Sequence, residues 1–236
     1  MTRARWGALA ALLVLLLGVS AVTFTARQRA GPSPKPRLAL LTSLPIILGE
    51  DFGLQDNGSP ALTALSTHFK VSPISTTSAA ELRDVRLLLM AQPTAQTPEN
   101  LVALDDWVRD GGKVLLLADP LLEWPSKRPL GDPLRPPPMF TDTGLLAHWS
   151  LRLDAPDQRG PAVRILGGYR VLTDSPGALH GRCAIGADRL VADCKIGKGR
   201  AVIIADADLL NVGNLGAGAQ DNLAAVAQGL AQLASR

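Results

Sequence analysis

Aromatic residues make up only 4% of the chain, and there are three histidines and two cysteines in 236 residues. The scarcity of rings leaves little with which to stack nucleobases. The formal net charge of +3 is not gathered into one block, so it offers no electrostatic footprint for nucleic acid. His68, His148 and His180 are scattered, with no HxH or HExxH, and a zinc site needs more ligands at close spacing. No GxSxG elbow is present, and neither cysteine follows a buried strand and opens a helix, so nucleophilic catalysis has no visible vehicle. No cofactor motif is found and no metal is expected. The run Gly213 to Gly218 departs from GxGxxG spacing and lacks a following Lys-Ser/Thr. It reads as an ordinary connection although it precedes a helix.

Charge is also missing, over a long stretch, at the N-terminus. Residues 6–25 (WGALAALLVLLLGVSAVTFT) carry none, and at about 1.5 Å per residue a helix of them spans about 30 Å, a hydrocarbon core. The expectation is an N-terminal transmembrane helix. The alternative is a signal peptide cut after Ala21, with Val19 and Ala21 as the small residues before the bond. Arginines flank both ends, so charge counting does not orient the segment. The five-residue tail favours an N-in, single-pass protein of a bacterial inner membrane with its bulk in the periplasm. The expected organisation is an anchor or signal segment over residues 1–29, a proline-rich spacer over 30–36 and one α/β domain over 37–236. About 200 residues are enough for one sizeable core.

The domain is organised around residues 86–120 (RLLLMAQPTAQTPENLVALDDWVRDGGKVLLLADP). Leu87 to Met90 and Val114 to Leu117 are unbroken apolar runs, as suits strands buried on both faces. Between them Thr97 can cap a helix with Pro98 at its first position. Leu101, Leu104 and Val108 form its apolar stripe, and Gly111 ends it. Strand, helix, strand in this span is a βαβ unit with a right-handed crossover. Upstream, residues 37–44 read as the first strand. Asp56, Asn57 and Gly58 read as a turn, Ser59 as the cap of a helix begun by Pro60, and Val71 to Ile74 as a short strand. Downstream, residues 141–149 read as a helix. Strands are expected at 163–166, 169–172, 182–185, 190–196 and 201–205, before a closing amphipathic helix from Asp221 to Leu233. The expected fold is a doubly wound, mostly parallel sheet with helices on both faces and an antiparallel appendage near the last strand.

Ligands of open α/β sheets sit outside the carboxyl ends of the strands. Those ends and the loop after the first strand present Ser43, Glu50, Gln92, Asp119, Asp206 and Asp208 as candidate ligand-binding residues, beside Thr42. Each also has a plain reading as a turn former or cap. Asp119 is expected at a partly solvated turn, where exchange for Asn costs about 1 kcal/mol or less. Cys183 and Cys194 either bridge a hairpin in an oxidising compartment or are two buried apolar thiols in a reducing one. Residues 121–138 contain six prolines and Trp124, which forbids helix and central strand. A loop of this length is a cover for a sheet edge, or a partner contact or lid.

The segment 101–120 (LVALDDWVRDGGKVLLLADP) resembles the soluble domain of the GldG-type gliding-motility family, auxiliary membrane proteins of ABC-type transport systems with a glutamine-amidotransferase-like α/β fold. Trp107, Val108, Gly111, Gly112, Asp119 and Pro120 stand at the positions of the family's YVxxGGxLLLLxDP segment. Residues 197–210 (GKGRAVIIADADLL) are similar to its second signature, a turn leading into the last strand with acids at its end. The resemblance implies membrane association and ABC permease or ATPase subunits as partners. True amidotransferases place a cysteine after a central strand. Here Ala91, Gln92 and Pro93 follow instead, which argues against that chemistry. The leading expectation is a membrane-anchored, non-catalytic domain that binds a partner or ligand for an ABC-type system. The alternatives are a hydrolase using strand-end carboxylates and a structural envelope protein.

Overall fold

The computed structural model describes residues 34–47, 49 and 58–236. Within them the elements run β1 (Arg37–Thr42), α1 (Pro60–His68), β2 (Lys70–Pro73), α2 (Ala79–Leu82), β3 (Leu87–Ala91), α3 (Pro98–Arg109), β4 (Lys113–Leu117), α4 (Leu145–His148), β5 (Leu151–Asp154), β6 (Pro161–Leu166), β7 (Tyr169–Asp174), β8 (Ala178–Gly181), β9 (Ala184–Ile185), β10 (Val191–Ile196), β11 (Gly199–Ile204), α5 (Val212–Leu215) and α6 (Asn222–Ser235). The anchor expected over residues 6–25 lies outside the described residues. No helix among those described is long and apolar enough to cross a membrane.

The main sheet has the order β2-β1-β3-β4-β11-β10-β9. Its first five strands are parallel, and β10 and β9 continue it antiparallel. From β1 the chain steps outward to β2, then returns past β1 to β3 and on to β4. Right-handed crossovers in opposite directions put α1 on one face and α2 with α3 on the other. In keeping with this, α2 packs on α3, and α6 packs on α1 and on β3 and β4. β3 is buried throughout and β4 at all but its first residue, which explains why neither alternates. Leu38, Leu40, Leu88, Leu89, Leu115 and Leu116 form the centre of the core.

The caps follow the sequence. Ser59 Oγ accepts the Leu62 N–H at 3.1 Å and itself donates to the Ile46 carbonyl. Thr97 Oγ1 accepts the Asn100 N–H, with Pro98 at the first position of α3. The glycines after α3 answer a packing demand. A Cβ on Gly112 would lie 2.4 Å from the Trp107 ring, and one on Gly199 would lie 2.1 Å from the Val108 carbonyl oxygen. The helix therefore closes onto β4 and β11 only because both positions lack a side chain.

Three expectations need correction. The helix expected over residues 141–149 is only Leu145–His148. Gly144 sits at φ +103°, and Asp142 Oδ1 takes the N–H groups of Gly144 and Leu146, so the start of that stretch is a turn. The strand expected over 182–185 is two residues long, and β8, which pairs with β5, was not anticipated. The β8 segment carries no alternation because Ala178 and Leu179 are both buried. Third, Asp119 is not partly solvated but 0% exposed.

Candidate functional site at the carboxyl ends of the strands

The chain reverses direction across the sheet between β1 and β3, which makes their carboxyl ends the switch point. Thr42 Oγ1 donates to the Ala91 carbonyl at 2.8 Å, and Ser43 Oγ donates to that of Gln92. Gln92 holds φ +42°, a region β-carbon-bearing residues visit sparsely. Its buried side chain is fully employed. Nε2 donates to the carbonyls of Asp119 and Pro137, and Oε1 accepts the Asp119 N–H at 3.0 Å. Gln92 thus clamps β3 to the end of β4 and to the proline-rich loop.

The acids lie beside this clamp. Asp119 follows β4 closely, and Asp206 and Asp208 follow β11, its neighbour in the sheet. They are 0%, 0% and 1% exposed. Asp119 Oδ1 accepts from Leu121 N at 2.9 Å and Oδ2 from Ala207 N at 2.8 Å. Asp206 accepts from Leu209 N and Asp174 N at 2.8 and 2.9 Å. Asp208 Oδ2 accepts from Glu123 N at 2.8 Å, while its Oδ1 is buried without a partner. Among the described residues no Lys or Arg bonds any of the three.

Such a cluster holds protons. Burial pushes Asp119 up to about 6, against the pull of three main-chain N–H groups. Burial pushes Asp208 up to about 7, and the charges of Asp119, Asp174 and Glu123 add to it. Asp206 rises well above the ordinary carboxylate range through burial first and then through Asp119 and Asp208. Half-buried Asp174 rises for the same first reason, with Glu123 contributing. These are proton-holding values suited to acid–base work, but the carboxylates act here as acceptors for main chain from three separate segments. Among the described residues no group of three or more His, Cys, Asp and Glu could hold a metal ion. Of the sequence-based candidates, Ser43, Gln92, Asp119, Asp206 and Asp208 are brought to one edge of the sheet, and Glu50 lies outside the described residues.

The proline-rich loop seals this edge. Phe140 N donates to the Asp119 carbonyl at 2.6 Å and Leu122 N to that of Pro138 at 2.9 Å, so the loop is closed at its base. Its outer side displays Leu130 and Leu134 at 80% and 61% exposure, and Met139, just past its end, is 58% exposed. No helix or strand falls between β4 and α4.

One feature escaped sequence reading. A groove of about 500 Å³ runs between α3 and α4, walled by Pro98, Leu101, Val102 and Leu145. At its polar end Asp105 Oδ2 meets Arg109 Nε at 2.6 Å and His148 Nε2 at 3.1 Å, and Oδ1 accepts from Trp149 Nε1 at 2.8 Å. Burial pushes Asp105 up, but these donors outweigh it and hold its pKa below the ordinary value. The i,i+4 spacing of Asp105 and Arg109 was legible. Their junction with His148, 43 residues away, was not.

On the far edge of the sheet, β9 and β10 pair Ala184 with Asp193, which sets Cys183 opposite Cys194. The two are joined by a disulfide with Cα atoms 4.8 Å apart.

Residues 35–155 match the sequence profile of a family described as an ABC-type uncharacterized transport system. No curated protein matches the chain. Among solved structures it is similar to the exo-beta-1,4-mannosidase Op5Man5 from Opitutaceae bacterium strain TAV5, at 14% identity and a TM-score of 0.53, over 84% of this chain and 36% of that one. The chain therefore spans about a third of that enzyme's length. It is also similar to the cytoplasmic protein STM1381 from Salmonella typhimurium LT2, at 11% identity and a TM-score of 0.54, covering 84% of this chain and 99% of that one. The mmIFT52 N-terminal domain matches at 10% identity and a TM-score of 0.54, with 84% and 97% covered. At such identities the likeness is one of fold alone.

Proposed function

This chain belongs to the ABC-type uncharacterized transport system family, and on that premise we propose that it is a non-catalytic, partner-binding auxiliary domain, tethered to the bacterial inner membrane by residues 6–25 with its bulk in the periplasm. One observation carries the reading. The strand-end carboxylates, where an enzyme of this architecture would work, accept main-chain N–H groups and lie beneath a loop that exposes Leu130 and Leu134. Trp107, Gly111, Gly112, Asp119 and Pro120 support the closer likeness to the GldG-type, amidotransferase-like branch. Those enzymes place a cysteine after a central strand; here Ala91, Gln92 and Pro93 follow β3 instead, and Gln92 is a clamp. The partner is a permease or ATPase subunit, and the surface that meets it is the loop over residues 121–138, through Leu130 and Leu134. Isolated exposed apolar residues are ordinary, but Leu130 and Leu134 stand four residues apart at 80% and 61% exposure on one loop, and that pair is what the reading assigns to the partner.

The test is co-purification from detergent-solubilised membranes. Replacing residues 123–136 with a short Gly/Ser linker, which keeps the Leu122–Pro138 closure, should reduce recovery of permease and ATPase subunits while the melting transition moves by only a few degrees. Undiminished recovery would remove the loop from the account, and a collapsed transition would make it a structural cover. Sequencing the mature N-terminus tests the tether: a start near Val22 in a soluble fraction overturns it. The rival reading, a hydrolase, draws on the near-neutral carboxyls. It requires that Asp206→Asn abolish a turnover that the wild-type chain displays.

A further inference from the structure

A second cleft, away from the loop, has the opposite character. It encloses about 320 Å³ between the segment leading into β6 and the turn before β10. Its floor is the buried run Pro176, Gly177 and Ala178, and its walls carry Arg159, Arg164 and Arg189 with Asp157 and Asp188. The arginines differ in how they are held. Arg189 is fixed: Nη2 lies 3.1 Å from Asp157 Oδ2 and Nη1 lies 3.2 Å from His180 Nε2, which in turn lies 3.1 Å from Asp154. Its backbone holds φ +58°, an uncommon conformation for a long side chain and one that concentrates at ligand sites. Arg164 gives one bond, to the Val163 carbonyl at 3.1 Å. Arg159 makes no hydrogen bond or ion pair with any described residue. Asp157 is matched by Arg189, and Asp188 Oδ1 accepts the Leu190 N–H within its own turn. Three guanidinium groups against two carboxylates leave the cleft positive, and the excess sits on Arg159 and Arg164.

Guanidinium forks with unused donors match the oxygens of a phosphate. The cleft lies at the small end of ligand-site volumes, and its lining contains no aromatic ring on which a base could stack. We propose that this cleft binds the phosphate of a phosphomonoester on a small polar body, with Arg159 and Arg164 as the principal donors and Arg189, held by Asp157, as the pre-set third. The same chemistry is offered by a soluble polyol phosphate and by the headgroup of a phosphatidic acid.

The test is calorimetric titration of the full-length protein in nonionic detergent with glycerol 3-phosphate, and separately with a short-chain phosphatidic acid, against a short-chain phosphatidylcholine as control. Binding of either phosphomonoester, weakened about tenfold or more by Arg159→Ala and by Arg164→Ala, is the expected result, since a charged hydrogen bond contributes roughly 1.5–3 kcal/mol. Binding of the glycerol phosphate alone identifies a soluble ligand, and binding of the lipid alone identifies a headgroup. Arg159→Ala removes a side chain that bonds none of the described residues, so its melting temperature should equal that of the wild type, and a loss of binding at an unchanged melting temperature cannot come from unfolding. Absence of binding by both phosphomonoesters overturns the proposal. So does affinity indifferent to both substitutions, or equal affinity for the phosphatidylcholine.

Discussion

The carboxylate of Asp208 accepts the main-chain N–H of Glu123 at 2.8 Å. This bond joins the exit of the last strand to the root of the proline-rich loop, 85 residues away in sequence. Asp119 does the same for Leu121 and Ala207. The loop has no ladder or helix of its own, so its place depends on these side-chain acceptors and on the Gln92 clamp. Among the described residues no cation bonds these buried carboxyls, which makes the loop's attachment sensitive to protonation.

Stability should therefore fall as pH rises from 5 to 8. In the unfolded chain an Asp releases its proton near 3.9. In the folded chain Asp119 keeps it to about 6 and Asp208 to about 7, and Asp206 is raised as well. Between these values the native state binds more protons than the unfolded one, so stability declines with pH over that window. For Asp119 alone the full decline, from below the unfolded value to above the folded one, is on the order of 3 kcal/mol, of which about half falls above pH 5. The groups facing the cluster, Asp174 and Glu123, are also acidic and oppose ionisation further. Urea denaturation at pH 5, 6, 7 and 8 checks this, and a midpoint that climbs across the series would contradict it.

Asp208→Asn should have an effect that depends on pH. The amide oxygen can still accept the Glu123 N–H, and a buried neutral group replaces one that ionises near 7. At pH 8 the variant should be more stable than wild type, and at pH 5 equal to it or slightly less stable. Thermal melts at the two values distinguish this from a plain lost contact, which would lower both by the same amount.

The fold was readable where one segment decides its own structure. Residues 86–120 contain both strands of the βαβ unit, its cap at Thr97 and its stop at Gly111, all local in sequence. Gly167 and Gly168, with positive φ at both, mark the β6–β7 turn as visibly as any two-residue hairpin signal. What was not readable depended on distant partners. Asp119 looks like a turn former until β11 brings Ala207 over it and Phe140 seals it. His148 is exposed, as its isolation in the sequence suggested, but nothing local foretold that α4 would lay it on Asp105. The same remoteness hid β8, whose partner β5 lies across the β6–β7 hairpin.

Two substitutions separate core from cluster. Leu116 is fully buried at the middle of β4, so Leu116→Ala should cost about 2–5 kcal/mol by emptying its site. Asp119→Asn should cost about 1–3 kcal/mol at pH 5, because an amide nitrogen, which cannot accept, now faces a main-chain N–H that an oxygen of the carboxyl group had accepted. Chemical denaturation of both variants provides the comparison. An Asn variant within a few tenths of a kcal/mol of wild type would mean that the carboxyl is not a bonding hub.

The disulfide links the edge of the sheet to the compartment in which the domain folds. β9 and β10 set Ala184 against Asp193 and Ile185 against Ala192, so one step further along the ladder Cys183 meets Cys194. Closing a loop of about 12 residues contributes roughly 3 kcal/mol in the chain-entropy model. For a domain of this size that is about 6–12 °C in melting temperature. Cys194 is 2% exposed, so a reduced thiol there would escape labelling in the native protein, and the assay has to be run in denaturant. Protein taken from membranes under alkylating conditions should show no free thiol in denaturant and two after reduction, and the reduced form should melt lower by that interval. Two thiols before reduction would place the domain in a reducing compartment. That outcome would remove the periplasmic assignment along with the bond, because the same oxidising environment underlies both.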